Sequence, residues 1–530
     1  MATSFRQLFY KCEEVLTFIS IRRIGFNPTK GKMRELLLGV DVGTTATKAV
    51  LIDFDGKLVS QGRAEHQTHY LKTGWVEQDA QDWWQSFCNS VADAKRKVSD
   101  PKIAAVVISA QAPTMAPVDE NGVPIRRALI WMDRRAELQA QELTSQFPNI
   151  SKLTGNRADP FYVAAKIKWF KENEPENYRR TKYILQIPGY LNFKLTGKFG
   201  TDRSHTSLLQ LRDINNNSWQ EQILKFLGIE EEKFGTIGFS VERLAEVSNK
   251  NESGIAAGTP VFFGTVDGCS AAVEAGVIDP GVIAEMSGTS TVLLMPTEGS
   301  LHNDQFIAIE HSLPNRQLRL GAMVSSGASI AWLDQNIFRG HTPIPELMAG
   351  AKNIVAGSCG LVFLPYMMGE RSPIWNSNAR GVFYGLSLST TPEIIFRAAL
   401  EGTAFAMRHN VLVARESGIK VESIRSVGGG TKNNLWNQIK ADVLGIPIVT
   451  IQESSGAALG CAYLAGYGLG VFKDIHVPLN KNLKVDQEFI PNSNNQRVYE
   501  EQYGVYRSIY EATKSDFDKL VQITEFGTHQ

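Results

Sequence analysis

The stretch Leu36-Leu-Leu-Gly-Val-Asp41-Val-Gly43-Thr44-Thr45-Ala-Thr47-Lys48-Ala-Val-Leu-Ile-Asp53 decides how the chain is read. A short apolar run ends in an acid at Asp41, and a small polar turn follows from Gly43 to Thr47. A second apolar run then reaches Asp53, and Phe54-Asp55-Gly56 signals another turn before Lys57-Leu-Val-Ser60. This spacing predicts consecutive strands joined by tight turns. Working outward, Asp82 to Lys95 has helical character and Ile103 to Ser109 reads as a buried strand. Strands alternating with helices predict an α/β architecture.

The pattern returns in the second half. Val282 to Ser287 leads into Gly288-Thr289-Ser290-Thr291 and then Val292 to Met295, so strand, Gly-Thr turn and strand occur twice. The echo is compatible with two domains of duplicated topology. Asp279-Pro280-Gly281 supplies a turn between the halves. The expected division is an N-terminal arm at 1–32, one domain at 33–277 and another at 278–530. A third glycine cluster, Gly428-Gly429-Gly430, follows the apolar Ile424 to Val427 and precedes a helix-like Asn434 to Leu444.

These turns suggest chemistry. Glycine and hydroxyl residues in tight turns offer N–H and O–H groups to phosphate oxygens, and an acid such as Asp41 can hold magnesium directly or through water. The bland alternative for either turn is an ordinary polar hairpin; two of them, one in each half, could close on one phosphate chain. Neither a G-x-x-x-x-G-K-[ST] loop nor a G-x-G-x-x-G after the first strand is present. Gly428 to Gly430 would let a flat base approach the backbone, or would simply be a flexible turn. Asp267 follows Val261-Phe-Phe263 and opens a small-residue run. There it could accept a proton from an attacking hydroxyl, or merely cap a helix.

Composition narrows the classes. Fifty-five basic and 55 acidic side chains among 530 residues leave no net charge, which argues against binding nucleic acid through a broad basic face. Five scattered cysteines without a C-x-x-C form neither a disulfide framework nor a thiolate zinc site, so a reducing, cytoplasmic setting is expected. No apolar run approaches the ~18 residues that span a bilayer. Residues 1–32 mix Arg6, Lys11, Arg22 and Arg23 with Glu13 and Glu14; a transit peptide should be poor in acids, so a loose arm, or an upstream start with Met33 as the alternative first residue, is expected. His66 and His69 lack an evident third metal ligand and are read as surface residues.

In order and spacing, the motifs resemble those of the FGGY family of carbohydrate kinases, most closely its xylulokinase branch. The resemblance runs from about Leu36 to about Tyr467. It is carried by Gly39 to Lys48, Gly74-Trp75-Val-Glu77-Gln78-Asp79, Ile130-Trp-Met-Asp-Arg-Arg135, Gly264 to Ala272 and Ser287 to Thr291. Gly369-Glu-Arg-Ser-Pro373, Glu401-Gly402 and Val427 to Gly430 complete it.

The resemblance implies an actin-like ATPase fold, with two ribonuclease-H-like domains flanking a cleft. The sugar would lie mainly on the N-terminal domain and ATP mainly on the C-terminal one. It implies Asp267 as catalytic base and Asp41 as the acid associated with Mg²⁺. Thr44 and Thr45 would form the first phosphate loop, Gly288 and Thr289 the second, and Gly429, Gly430 and Asn433 the adenine-side turn. Trp75, Glu77, Gln111, Ala112, Asp267 and Gly268 would line the sugar site. Where xylulokinases carry Gln-Met-His-Gly, this chain has Gln111-Ala112-Pro113-Thr114, and Gly268 stands where they commonly place Asn. Ala and Gly remove side-chain volume and hydrogen-bonding groups, which on this resemblance could enlarge the sugar pocket or shift which hydroxyls are read. The expected reaction is phosphoryl transfer from ATP to a ketopentose, D-xylulose first. The alternatives are ribulose, gluconate, glycerol or erythritol as acceptor, or a non-catalytic sugar or nucleotide sensor. An actin-like filament or chaperone is a third class, in which Asp267 and Gln111 would have no sugar to explain them. The expected partner is a small sugar, without nucleic acid or membrane; family members are often homodimers.

Overall fold

The computed structural model describes residues 34–528 except 300, 302, 340, 341, 453 and 454; the expected arm at 1–32 lies outside the described residues. Two seven-stranded sheets dominate it. The first contains β1 (Arg34–Val42), β2 (Ala46–Ile52), β3 (Leu58–Glu65), β4 (Pro101–Ala110), β5 (Arg243–Glu246), β6 (Pro260–Phe262) and β7 (Thr265–Val266). Its order is β5-β6-β4-β1-β2-β3, with β7 paired to β4. The second contains β8 (Gly281–Ser287), β9 (Thr291–Glu298), β10 (Ile307–Glu310), β11 (Arg316–Met323), β12 (Val421–Val427), β13 (Ile448–Ile451) and β14 (Val485–Phe489), in the order β10-β11-β9-β8-β12-β13-β14.

The sheets share one plan. In each, an antiparallel hairpin (β1–β2, β8–β9) lies beside a strand parallel to its first member (β4, β12). The sequence echo is thus a duplicated topology, that of the two ribonuclease-H-like halves of the actin-like fold. Six helices matter to the site: α1 (Ala80–Arg96), α2 (Asp267–Glu274), α3 (Pro392–Glu416), α4 (Asn434–Leu444), α5 (Ala457–Gly468) and α6 (Ser493–Thr528). Helix α1 starts where Asp79 accepts the Gln81 N–H at 2.9 Å. It carries Asp82 in its first turn and Lys95 and Arg96 in its last, the charge order that suits a helix dipole.

Both faces of the first sheet are covered, which is why β1 reads as an almost unbroken apolar run. Leu36, Leu38, Val40 and Val42 pack with Trp83 and Phe87 of α1. Leu37, on the opposite face, packs with Ala458, Ala462 and Ala465 of α5. Gly39 makes this closeness attainable: a Cβ there would stand 2.1 Å from the Ala458 carbonyl oxygen. A helix from the C-terminal half therefore lies on the N-terminal sheet. The expected units 33–277 and 278–530 each hold one sheet, and residues 457–479 leave the second unit to pack on the first.

Helices α2 and α5 touch between the sheets. The Ser270 hydroxyl donates to the Ala457 carbonyl at 2.6 Å, and a Cβ on Gly460 would be 2.0 Å from the Ser270 carbonyl oxygen. The second sheet's core is larger and includes Phe396 and Phe405 of α3, Ile439 of α4 and Tyr499 and Tyr506 of α6. Among the described residues, no helix is long and apolar enough to cross a membrane.

Candidate active site

Each hairpin turn opens on a glycine whose N–H is held within the turn, though the second turn is one residue shorter. The Gly43 N–H donates to the Ala46 carbonyl and the Gly288 N–H to the Ser290 carbonyl, both at 3.0 Å. Each turn is braced from behind. The Thr44 hydroxyl donates to Gln111 Oε1 at 3.1 Å and accepts from Trp131 Nε1 at 3.2 Å. The Thr44 carbonyl accepts from Gln78 Nε2 and the Thr68 hydroxyl, while Thr45 is exposed at the tip. His66 is not the surface residue expected from sequence. It is half-buried, with Nε2 3.0 Å from the Gly43 carbonyl, and burial lowers its pKa below the usual imidazole value. In the second turn, the Gly288 carbonyl accepts from the Gly327 N–H at 3.1 Å and the Thr289 carbonyl from the Ala328 N–H at 2.9 Å.

Strand register places the acids. Asp41 on β1 pairs with Ser109 on β4, and Ser109 also pairs with Thr265 on β7. Asp41 and the end of β7 are thus two strand spacings apart, roughly 10 Å, with Asp267 opening α2 immediately beyond. The Ser109 hydroxyl donates to Asp41 Oδ1 at 2.8 Å. Burial raises the Asp41 pKa to about 6 against the lowering effects of Ser109 and Lys48. Asp267 is pushed further, to about 7, by burial first and then by the Asp41 charge. The N-cap of α2 is Val266. Asp267 is the first helical residue, and its Oδ1 accepts the Gly268 N–H at 2.7 Å, so the carboxylate is held locally without occupying the cap position. Asp41 suits a magnesium ion: one oxygen is committed to Ser109, and the other has no hydrogen-bond partner among the described residues. Magnesium commonly takes one or two carboxylates and keeps waters.

A cavity of about 600 Å³ lies on the C-terminal side of the acids, lined in part by Lys48, Ser287, Gly288, Thr289, Gly428 and Gly429. It brings the second hairpin turn and the triple-glycine turn together. Gly428 has φ +97, and a Cβ on it would meet the Ser287 carbonyl oxygen at 2.6 Å. Gly429 faces open space. Asn433, expected beside adenine, uses its side chain differently. Its Oδ1 accepts the Trp436 N–H at 3.0 Å as the N-cap of α4, and its Nδ2 lies 3.2 Å from Met348 Sδ. Lys48 lines the same cavity and lowers the pKa of Asp41. The sequence motif gives Lys48 no role; the strand pairing sets it opposite Asp41.

Of the residues expected at the sugar, Gln111, Ala112, Asp267 and Gly268 lie around the acids. Gln111 is buried and donates to Gln78 Oε1 at 2.7 Å. Ala112 packs in the cluster shared by both halves, with Phe161 and Trp375. Gln111 also has the Thr44 hydroxyl on its Oε1, so both ends of its amide are engaged by protein, as are Trp75 and Glu77. Glu77 is buried and ion-paired to Arg126 and Arg135. The Trp75 ring lies between Lys72 and Arg135, each 3.9 Å from its centre. The two residues form a structural knot, and the carboxylate of Glu77 is already neutralised. Trp131, tied to Thr44 and stacked under the Arg371 guanidinium at 5.4 Å, joins His66 as an aromatic ring that reaches the first hairpin turn.

Comparison with known proteins identifies the family. The N-terminal domain of the FGGY family of carbohydrate kinases matches residues 36–274 and its C-terminal domain residues 284–469. A xylulose kinase of Staphylococcus epidermidis is 28% identical over 502 residues, covering 93% of this chain and 100% of its own. The structure of a ligand-bound xylulose kinase from Lactobacillus acidophilus has a TM-score of 0.86 at 26% identity, covering 92% of this chain and 100% of that one. A gluconate kinase from Lactobacillus acidophilus has a TM-score of 0.87, also at 26% identity and with the same coverage. With both domains matched in order across most of its length, the chain belongs to the FGGY family of carbohydrate kinases, phosphotransferases with an alcohol group as acceptor.

Proposed function

We propose that this sugar kinase transfers the γ-phosphoryl group of ATP to a hydroxyl of a ketopentose, D-xylulose, with Asp267 as the base. One observation carries the reading: Asp267 opens a helix at the end of β7, beside Asp41, with its pKa raised to about 7. A carboxylate so tuned accepts a proton near neutrality. The cavity bounded by Gly288, Thr289 and Gly429 suits the nucleotide, and the Gly43–Ala46 turn lies across from it. Backbone N–H groups in both turns stabilise charge on the transferred group, and positioning does most of the catalytic work. Asp41 would hold Mg²⁺, which supplies neutralisation of phosphate charge when bound. Closing the cleft excludes water as a competing acceptor. The names of the xylulose kinases among the relatives support the acceptor.

A sugar acid is the second reading. A cavity of about 500 Å³ is lined by Arg157, Phe161, Glu370, Arg371 and Trp375, among others. Arg157 lies over the Trp375 ring and Arg371 over the Trp131 ring; neither makes a close ion pair among the described residues, although Asp159 and Glu370 line the same cavity and act on Arg371. Coupled ADP-release assays with D-xylulose, ribulose, gluconate, glycerol and erythritol separate the two readings. Turnover of D-xylulose that is lost in Asp267→Ala, with ATP still bound, is the expected result. Preference for gluconate moves the acceptor to the acids, and a near wild-type rate in Asp267→Ala removes the base assignment.

A further inference from the structure

Behind Asp267 lies a buried polar chain that substrate contact does not explain. Asp202 ends a short strand, Gly200–Asp202, and caps the helical turn Arg203–Thr206 by accepting the His205 N–H at 3.0 Å. Its second oxygen is 2.6 Å from His205 Nδ1. The first oxygen also accepts the Ser204 hydroxyl proton. With its proton committed there, Ser204 Oγ is free to accept, and the Val266 N–H donates to it at 2.9 Å. Thr265 Oγ1 lies 3.2 Å from the same oxygen and 2.7 Å from the Ser312 hydroxyl, which belongs to the other half of the chain. Asp202, Ser204, His205, Thr265 and Ser312 are all at most 1% exposed.

Val266 is the N-cap of α2 and has no side-chain hydrogen bond with which to fix that helix start. The chain's polarity runs one way: Asp202 accepts from the Ser204 hydroxyl and so orients it, and Ser204 then holds the amide directly before Asp267. Without Ser204 that buried amide would be left unpaired. We propose that Asp202 and Ser204 are positioning residues for Asp267, acting through the Val266 N–H to set where α2 begins and hence where its first carboxylate points. This rests on the reading of Asp267 as the base.

The test uses Ser204→Ala, which removes the relay atom and leaves Asp202 with His205. With D-xylulose and Mg·ATP, kcat is expected to fall about tenfold, because small misplacements of a catalytic group cost rate steeply. The Kd for ATP, by calorimetry, is expected to stay within about twofold, since the nucleotide cavity is not in the chain. The decisive arm is a double-mutant cycle. In an Asp267→Asn background Ser204→Ala should change the residual rate less than about twofold, because its effect passes through Asp267. Exchange of the Val266 amide proton, which needs no acceptor, should quicken at least about tenfold. A wild-type kcat in Ser204→Ala, an unchanged Val266 exchange rate, or a full second loss in the Asp267→Asn background overturns the proposal. Should Ser204→Ala fold poorly, Asp202→Asn, which conserves size, is read by the same criteria. Failure of the base reading is seen separately, as activity surviving in Asp267→Ala.

Discussion

Gly430 stands against Ser287: a Cβ on the glycine would lie 2.1 Å from the serine hydroxyl oxygen. The neighbouring Gly429 has nothing within 4 Å of the same position. The three glycines therefore have different jobs. Gly428 and Gly430 let the turn sit on Ser287 at the second hairpin, and Gly429 leaves the cavity open. Gly430→Ala is expected to push the two turns apart, weaken ATP about tenfold or more and lower Tm, because backbone and a short side chain cannot yield. Gly429→Ala should keep Tm and raise the KM for ATP modestly. Calorimetric titration and thermal melts of both variants check this, and equal effects at the two positions would refute the division.

Below that turn, Lys440 and Glu285 form an ion pair at 2% and 0% side-chain exposure. Lys440 also donates to Ser287 Oγ at 3.1 Å, and the Ser426 hydroxyl to Glu285 at 2.6 Å. Lys440→Met leaves a buried carboxylate without its cation, which costs about 3–5 kcal/mol. Replacing both by Met should recover most of that, since a buried pair is often no more stabilising than apolar groups of similar volume. Denaturant melts of the single and double variants read the expected recovery. Weakened ATP binding should persist in the double variant, because Ser287 has lost its donor.

What was legible in the sequence was local. The hairpins at Asp41–Lys48 and Ser287–Thr291, the helix after Gly430 and the strand before Asp267 each declare themselves within a few residues, through period, turn chemistry and punctuation. What was not legible depends on partners far along the chain. Glu77 looks free for a sugar until Arg126 and Arg135 arrive beside it. Gly39 looks like any strand glycine until α5 packs on it, and His66 looks exposed until the Gly43 carbonyl comes within reach. No spacing rule announces Ser204 as the acceptor for Val266.

The raised pKa of Asp267 fixes two pH dependences. In the proposed role of base it must be ionised, so kcat/KM for the acceptor should rise with pH through about 7 and level off above it. Stability runs the other way. The folded-state pKa lies above the unfolded 3.8, so ionisation costs the folded state increasingly as pH climbs from 3.8 towards 7. Asp267→Asn should therefore raise Tm at pH 8, by about 2–4 °C, and leave it nearly unchanged near pH 3.5. A Tm gain at low pH only would contradict the burial of this carboxylate.

Glu77 supplies a prediction that separates packing from recognition. Its partners Arg126 and Arg135 are 10% and 1% exposed, and Arg135 is held against Trp75 and Trp169. Glu77→Gln leaves two crowded guanidinium groups with less compensation, so Tm should drop, with a loss of about 2–4 kcal/mol. Because the carboxylate is committed to these arginines, the acceptor KM should stay within about twofold at temperatures where the variant is folded. A large KM change with intact stability would return Glu77 to the sugar.

Gly268 tests how the pocket chooses its acceptor. A Cβ there would lie 3.5 Å from Leu320 Cδ2 and 3.6 Å from Leu294 Cδ2, ordinary contact distances. The glycine is helical and not in the left-handed region, so neither sterics nor backbone demands it. Gly268→Ala should fold with Tm unchanged or slightly raised, because alanine is the better helix former. Gly268→Asn adds an amide next to Asp267, beyond a Cβ that faces Leu320 and Leu294, and so tests whether a sugar hydroxyl lies within its reach. A site that gains such a group discriminates by what it leaves unpaired. The ratio of kcat/KM for D-xylulose over glycerol should therefore rise, about tenfold if one hydroxyl is newly read. Competition between the two acceptors in one reaction measures that ratio directly. An unchanged ratio would mean that the residue after the base does not face the acceptor, and would shift the determinant to Ala112 and the Phe161–Trp375 wall.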